Sequence, residues 1–505
     1  MSRFVKPLAL ALCMLLAASI PLLAQTSFVN TAFFPDVQSR LFLNQWQQNE
    51  TYSTKSPHTE DLGARFLLQD FKTTKASFLE LVSLKEPKLS LLQYSYADSS
   101  LRYDMEANAI SQIDFLSAPV GKYSAHTIGL RVNSSLNSKF RARATYSNTR
   151  FHGDREAMAV SPLVDGYQIT MHTGTYTDKL NGELSYNDKH FSAALGRGRF
   201  QIGNSISGSV VLSDRVSEYD YALLEQRFGQ FSFSFLHGSL KADTLKDGRF
   251  PAKFAAVHQV TWQPKPSLDF FYGESVFYGN RLDFSYLLPA NYWRVGKYRS
   301  EPDNLNLYGG MNIRPDENWT LYWTLLLDEL TPRKFFSNWW GNKYAFQTGA
   351  ACDLPILNFN PREKPRLALE FTAVRPWTYT HYDNIAMFSH ENSSLGYPKG
   401  SNLLDLTAEF NLPLPLRMRW DSQYSLTWQG SEGNDWRVNY RDAFPTEIIN
   451  QAEAFWLDGE LSRTHVLQNA LRIGVFTHHD FLLAHRSTFG SQNSHIFYAN
   501  WQTFF

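Results

Sequence analysis

Ile496-Phe497-Tyr498-Ala499-Asn500-Trp501-Gln502-Thr503-Phe504-Phe505 closes the chain. Successive side chains of an extended strand point to opposite sides, so Phe497, Ala499, Trp501, Thr503 and Phe505 share one face and Tyr498, Asn500 and Gln502 the other. A terminal strand with one mostly apolar face and an aromatic end suits the last stave of a transmembrane barrel. Such a chain must close all its backbone hydrogen bonds between strands, because the bilayer core offers no water to unpaired peptide groups.

The opposite terminus supports the same solvent. Arg3 and Lys6 precede an apolar run from Pro7 to Ala24, and small Ala24 is followed by polar Gln25. This pattern predicts a secretory leader over 1–24, too short for a spanning helix and interrupted by Pro21. Cys13 would leave with it, so Cys352 would be the only remaining thiol and the fold must hold without disulfides.

Of 505 residues, 48 are basic and 48 acidic, and losing Arg3 and Lys6 leaves a formal charge near −2. That balance carries no nucleic-acid footprint. Residues 25–60 are expected to form an amino-terminal periplasmic segment, with Thr31 to Asn49 either a short helix or an extended entry. Beyond residue 60 no linker, charge block or low-complexity stretch divides the chain, so 61–505 reads as one barrel. Aromatics make up 15% of the sequence while mean hydropathy is slightly polar, a combination a barrel accommodates because only every second strand residue meets lipid.

The alternation is explicit. In Phe231-Ser232-Phe233-Ser234-Phe235 aromatics take one face and serines the other; Trp319, Leu321, Trp323, Leu325 and Leu327 repeat it against Thr320, Tyr322 and Thr324. Arg314-Pro315-Asp316-Glu317-Asn318 separates the predicted strands Asn306–Ile313 and Trp319–Leu327, a compact turn that predicts a hairpin. Val257–Trp262, the turn 263–267 and Leu268–Phe277 predict another, and further strands are expected at Leu367–Val374, Leu404–Phe410, Leu414–Trp428 and around Leu471, Ile473 and Val475. At roughly 25 residues per strand and connection the expectation is an all-β, antiparallel outer-membrane β-barrel of about 18 strands.

Several stretches resemble the Wzi family of outer-membrane capsule-assembly proteins. Gly196-Arg197-Gly198-Arg199-Phe200 leads through Gly203 to Gly208-Ser209-Val210-Val211-Leu212-Ser213-Asp214, similar to that family's glycine-rich segment, with Ile202-Gly203-Asn204-Ser205 where the family carries Trp-Gly-Pro-Gly. Phe235–Leu240, His258–Pro264, Gly273–Gly279, Tyr286–Pro289, Asp303-Asn304, Leu325–Glu329, Tyr379-Thr380-His381 and Leu395-Gly396 follow in the family's order. The resemblance implies a non-enzymatic barrel in outer-membrane lipid that binds capsular or other surface polysaccharide, with the export machinery as a further contact. The expected state is a monomer, with no cofactor and no nucleic-acid partner.

Sugar rings offer apolar faces to aromatics, and acidic sugars call for Arg or Lys. Two patches qualify: Trp339-Trp340 with Lys343, and Arg375-Pro376-Trp377-Thr378-Tyr379-Thr380-His381-Tyr382. The competing reading assigns these aromatics to a membrane girdle or to bracing a long loop. Asp328 and Glu329 are expected to pair with nearby bases at a strand end.

Other chemistries have weaker support. Ser213-Asp214 with His237 or His258 forms a triad only on paper. His478 and His479 would point to opposite faces of a strand and so do not chelate one ion, and Gly196-Arg197-Gly198 lacks the strand-to-helix setting of a dinucleotide loop. A channel or transporter for small polar solutes is the alternative class. Arg141, Arg143, Arg417, Arg419 and Arg437 would then line a pore, or else knit into fixed ion pairs.

Overall fold

The computed structural model describes residues 92–504, apart from 98–100, 160–168, 243–250, 294–302, 356–363 and a few shorter pieces. The expected leader 1–24, the segment 25–60 with its Thr31–Asn49 stretch, the first part of the expected barrel (61–91), Arg417, His478 and Phe505 lie outside the described residues.

Among the described residues, 18 antiparallel strands close into a barrel. The first six are β1 (Arg102–Ala118), β2 (Gly121–Leu136), β3 (Phe140–Gly153), β4 (Gly174–Asn187), β5 (Phe191–Gly198) and β6 (Tyr219–Phe228). There follow β7 (Phe231–Lys241), β8 (Ala252–Lys265), β9 (Leu268–Gly279), β10 (Asn304–Ile313), β11 (Trp319–Glu329) and β12 (Lys343–Asp353). The last are β13 (Arg366–Val374), β14 (Leu403–Leu414), β15 (Met418–Gly430), β16 (Leu461–Phe476), β17 (His479–Gly490) and β18 (Ser494–Phe504). Each pairs with its sequence neighbour, and β18 closes the ring on β1 from Ile110↔Phe504 to Ser117↔Phe497. At this seam the buried Asp114 accepts from Tyr498, from Asn500 at 2.7 Å and from Gln112 at 3.0 Å, three donors that satisfy a carboxylate held off water. A short strand, Leu92–Ala97, continues the seam on the lower part of β1.

The terminal stave sits as its pattern requires. Phe497 and Trp501 face outward and are 55% and 39% exposed, while Tyr498 and Asn500 are buried inside. Thr503, the polar lapse in the outward stripe, is taken up by His479 at 2.9 Å and the Trp501 indole N–H at 3.1 Å. The hairpin over 314–318 forms as expected. The run Leu414–Trp428 does not form one strand: Leu414 ends β14 and Met418 begins β15, with a tight turn starting at Pro415.

Most connections at one end are short, and the longest lie at the other, where 119–120 and 491–493 are the short exceptions. Turns such as 229–230 and 314–318 lie at one end with the last residue of β18; long connections such as 199–218, 375–402 and 431–460 lie at the other. In barrels of this architecture the turn end is periplasmic and the loop end external.

Two long connections fold inward. Segment 199–218 crosses the lumen and is gripped by Glu370 on β13, whose carboxylate accepts from the backbone N–H of Ile206 (2.9 Å) and Ser207 (3.1 Å), from the Ser207 hydroxyl and from Tyr322 (2.6 Å). Gln347 donates to the Gly208 carbonyl (2.9 Å), Gln423 to the Ile206 carbonyl (2.9 Å) and Asn204 to Asn312 (2.7 Å). Segment 375–402 packs on it through Tyr379 O–H to the Val210 carbonyl (2.8 Å) and Ser213 N–H to the Leu395 carbonyl (2.7 Å). Phe200, Ile202, Val210, Leu212, Phe388 and Tyr397 thereby build an apolar core inside the barrel. Gly208, at φ +105°, has no room for a side chain, since a Cβ would lie 2.5 Å from Pro398.

The described residues of a third connection, 280–288 with Asn291 and Trp293, lie on the outer face. Tyr286 and Trp293 lie over outward positions of β7 to β10, so Phe235, Val276 and Tyr278 are buried although they face away from the lumen. Beneath Trp293, Glu274 meets His258 at 3.2 Å and accepts the Trp293 backbone N–H at 2.9 Å.

Candidate functional site

At the loop end, the connections 330–342, 375–402 and 431–460 converge on the mouth above β11 to β15. The two aromatic patches read from sequence meet there, joined by residues of 431–460. Trp340 packs on Tyr440 (4.8 Å between ring centres) and Phe444 (4.7 Å), and Phe444 also contacts Trp377 (4.8 Å). The indole N–H groups of Trp339 and Trp340 both donate to the Ile449 carbonyl, at 3.3 and 2.5 Å.

Most of the candidate side chains are structural here. Trp340, Lys343, Arg375, Trp377, Tyr379 and His381 are buried. Lys343 pairs with Glu329 at 2.9 Å, donates to the Thr380 carbonyl at 3.2 Å, and sits over the Trp340 and Tyr440 rings at 5.3 and 4.5 Å. Arg375 lies between the Tyr344 and Trp456 rings, 5.6 Å from each, and donates to the Ala454 carbonyl at 2.8 Å. Asp328 accepts the Tyr379 backbone N–H at 2.7 Å. Trp377 and Tyr379 hold φ of +65° and +74°, a strained left-handed backbone that persists because its surroundings fix it. These residues shape a rigid floor.

Above that floor stands a more exposed rim. It includes half-buried Trp339 with the Lys334 ammonium 4.5 Å from its ring, and half-buried Tyr382 with the Arg441 guanidinium 4.2 Å from its ring. Arg437 is exposed beside Trp436 and pairs with Asp435 at 2.7 Å, and Trp456 is 39% exposed. Burial pushes the Asp435 carboxyl up, but hydrogen bonds and charge from Arg437 outweigh it and hold it below its ordinary value. Burial raises the Tyr382 phenol despite Arg441 nearby. Of the 431–460 connection, sequence reasoning names only Arg437; the signal for its part in the site is the density of Trp436, Tyr440, Phe444, Phe455 and Trp456, of which Trp436 and Tyr440 are buried and Phe455 and Trp456 exposed.

The paper triad does not assemble. Ser213 and Asp214 belong to the inward segment, whereas His237 and His258 sit on outward positions of β7 and β8, bound to Tyr278 (2.8 Å) and Glu274. Of the arginines proposed for a pore, Arg419 is buried in an ion pair with Asp421 at 2.9 Å and Arg437 lies at the rim. Arg141 and Arg143 face the lumen from β3, half-buried, on a wall remote from Glu370.

No family profile and no curated protein matches the sequence. Among solved structures the chain is similar to Wzi of Escherichia coli, described as an outer-membrane protein involved in group 1 capsule assembly and a carbohydrate-binding β-barrel. That likeness has a TM-score of 0.52 at 11% identity, covering 78% of this chain and 83% of that one. OccAB4 of Acinetobacter baumannii aligns at 8% identity over 79% and 98% of the two chains with a TM-score of 0.48. The outer-membrane protein OprD of Pseudomonas aeruginosa aligns at 9% identity over 79% and 93% with a TM-score of 0.46. At these identities the shared property is the fold.

Proposed function

We propose that this chain is an outer-membrane barrel, exported by its leader, that binds capsular or other surface polysaccharide at its loop end and helps retain it, without covalent chemistry. It would be a distant member of the Wzi family, working as a monomer in contact with the export machinery. The observation that carries the reading is the rim of Trp339, Tyr382, Arg437 and Arg441 standing on a buried, cross-braced floor. Flat rings beside guanidinium groups suit sugar faces and their acidic substituents, and a rigid floor lowers the entropy cost of binding. The ordered motif resemblance and the carbohydrate-binding description of the Wzi structure agree with it.

The test is in cells. A strain carrying Trp339→Ala with Arg441→Ala in place of the native barrel should shed its surface polysaccharide into the medium while the variant reaches the membrane in normal amount. Full retention by that strain would remove the proposal.

A second reading, passage of small polar solutes, draws on one observation. Arg131, Arg141 and Arg143 line a lumen wall that the inward segments leave half-exposed. Ion conductance in planar bilayers would support it.

A further inference from the structure

The outward side chains of β16–β18 and β1–β3 sort by height. Through the middle of these strands they are apolar, with Leu483, Trp501, Ile113, Ile128 and Leu130 between 39% and 56% exposed. Near the loop end the same face carries Lys122 on β2, Arg150 and His152 on β3, Arg463 on β16, His485 on β17 and His495 on β18. Toward the turn end, the described outward positions of these strands hold no Lys or Arg. Of the nearby acids, Asp178 on β4 accepts from Tyr146 (3.0 Å) and Asn148 (2.8 Å), Asp154 accepts the Lys122 backbone N–H (2.9 Å), and Glu156 and Glu460 stand exposed in the adjoining connections, fewer than the basic side chains of the band.

An independent observation points outward at the same place. The His485 and His495 rings lie parallel, 5.7 Å apart, and each spends one nitrogen on the Ser487 hydroxyl, at 3.2 and 3.0 Å. The other nitrogen of each has no hydrogen-bond partner among the described residues. On the far side of the barrel, by contrast, Tyr286 and Trp293 cover the outer wall.

A sector with cations and imidazoles directly above a hydrocarbon-facing belt is complementary to one kind of neighbour. Its chains would lie against Leu483 and Phe497 and its anionic head at the level of Arg150 and Arg463. We propose that this face seats the net-anionic phosphate headgroup of a lipid in the external leaflet. The barrel would thereby be oriented and anchored in that leaflet, independently of any polysaccharide at its mouth.

The test uses the full purified protein in phosphatidylcholine nanodiscs with and without lipid A. Native mass spectrometry then counts the lipid A molecules that stay with the barrel after release. Wild type should retain lipid A in preference to phosphatidylcholine. Lys122→Ala, Arg150→Ala and Arg463→Ala should each lower that retention about fivefold. The turn-end controls Lys139→Ala and Lys265→Ala should leave it unchanged, with heat-modifiable migration confirming that every variant is folded. No preference in the wild type, or equal loss in the turn-end controls, would overturn the proposal.

Discussion

Replacing Glu370 by Ala should release the inward segment without unfolding the barrel. Glu370 is 3% exposed, and its carboxylate pairs the backbone N–H groups of Ile206 and Ser207 across the lumen. Truncation takes the acceptor from the Ile206 N–H and the buried Tyr322 hydroxyl, at about 1–3 kcal/mol each, while the Ser207 N–H keeps the Ser205 hydroxyl at 3.2 Å. Gln347, Gln423 and Asn204 still hold the same stretch, so the lower half of that range, about 3 kcal/mol in total, is the reasonable expectation. A local opening made easier by that amount speeds amide exchange roughly 150-fold. Hydrogen exchange read by mass spectrometry on peptides covering 200–212 measures it directly, with peptides from β1 and β18 as the internal reference. Unchanged exchange at Ile206 and Ser207 in a folded Glu370→Ala barrel would refute the claim that this carboxylate holds the segment.

Gly208→Ala combines a positive φ with a Cβ only 2.5 Å from Pro398, so it should separate 199–218 from 375–402 and speed exchange in both, again with the strands unaffected. Trp377→Ala should cost about 3–5 kcal/mol of local stability by emptying the floor of the rim, read as earlier protease cleavage within 431–460. For acid, the sign follows from Asp435 and from Asp283. Burial pushes the Asp283 carboxyl up, but Ser285 and Arg281 together hold it below its usual value. Groups whose folded value is lowered stabilise above the ordinary carboxylate value of 3.8 and lose that contribution as pH falls through the lowered values. The fluorescence of buried Trp436, read as the difference between wild type and Trp436→Phe, should therefore stay constant from neutrality down to about pH 4 and change below it, and Asp435→Asn should shift that change.

The barrel was legible because lipid imposes a period of two. Phe231 and Trp319 stand outward at 43% and 44% exposure, and Ser232 and Thr324 are buried inside, as their alternation requires. Where a connection covers the wall, that logic fails. Phe235, His258 and Glu274 occupy outward positions yet are buried, because Tyr286 and Trp293 cover them, and no local pattern announces a cover that arrives from another segment. The rim shows the same limit. Trp340 and Trp377 read as candidate ligand contacts because aromatics in a connection look alike whether they meet a sugar or another ring. Their partners Tyr440 and Phe444 lie more than sixty residues away in sequence, and only the closed barrel brings them together. The glycine-rich stretch was recognised by its order of residues, but its path through the lumen depends on Glu370 of a distant strand.

The central claim is that the loop-end rim is a polysaccharide-binding surface, and equilibrium binding of the purified, detergent-folded protein to its own organism's surface polysaccharide tests it most directly. Saturable binding by the wild type, weakened at least severalfold by Trp339→Ala and by Arg441→Ala but not by the turn-end change Lys265→Ala, is the predicted result. Absence of binding by a folded protein that conducts ions in planar bilayers would contradict the account and give the lumen, rather than the rim, the functional role.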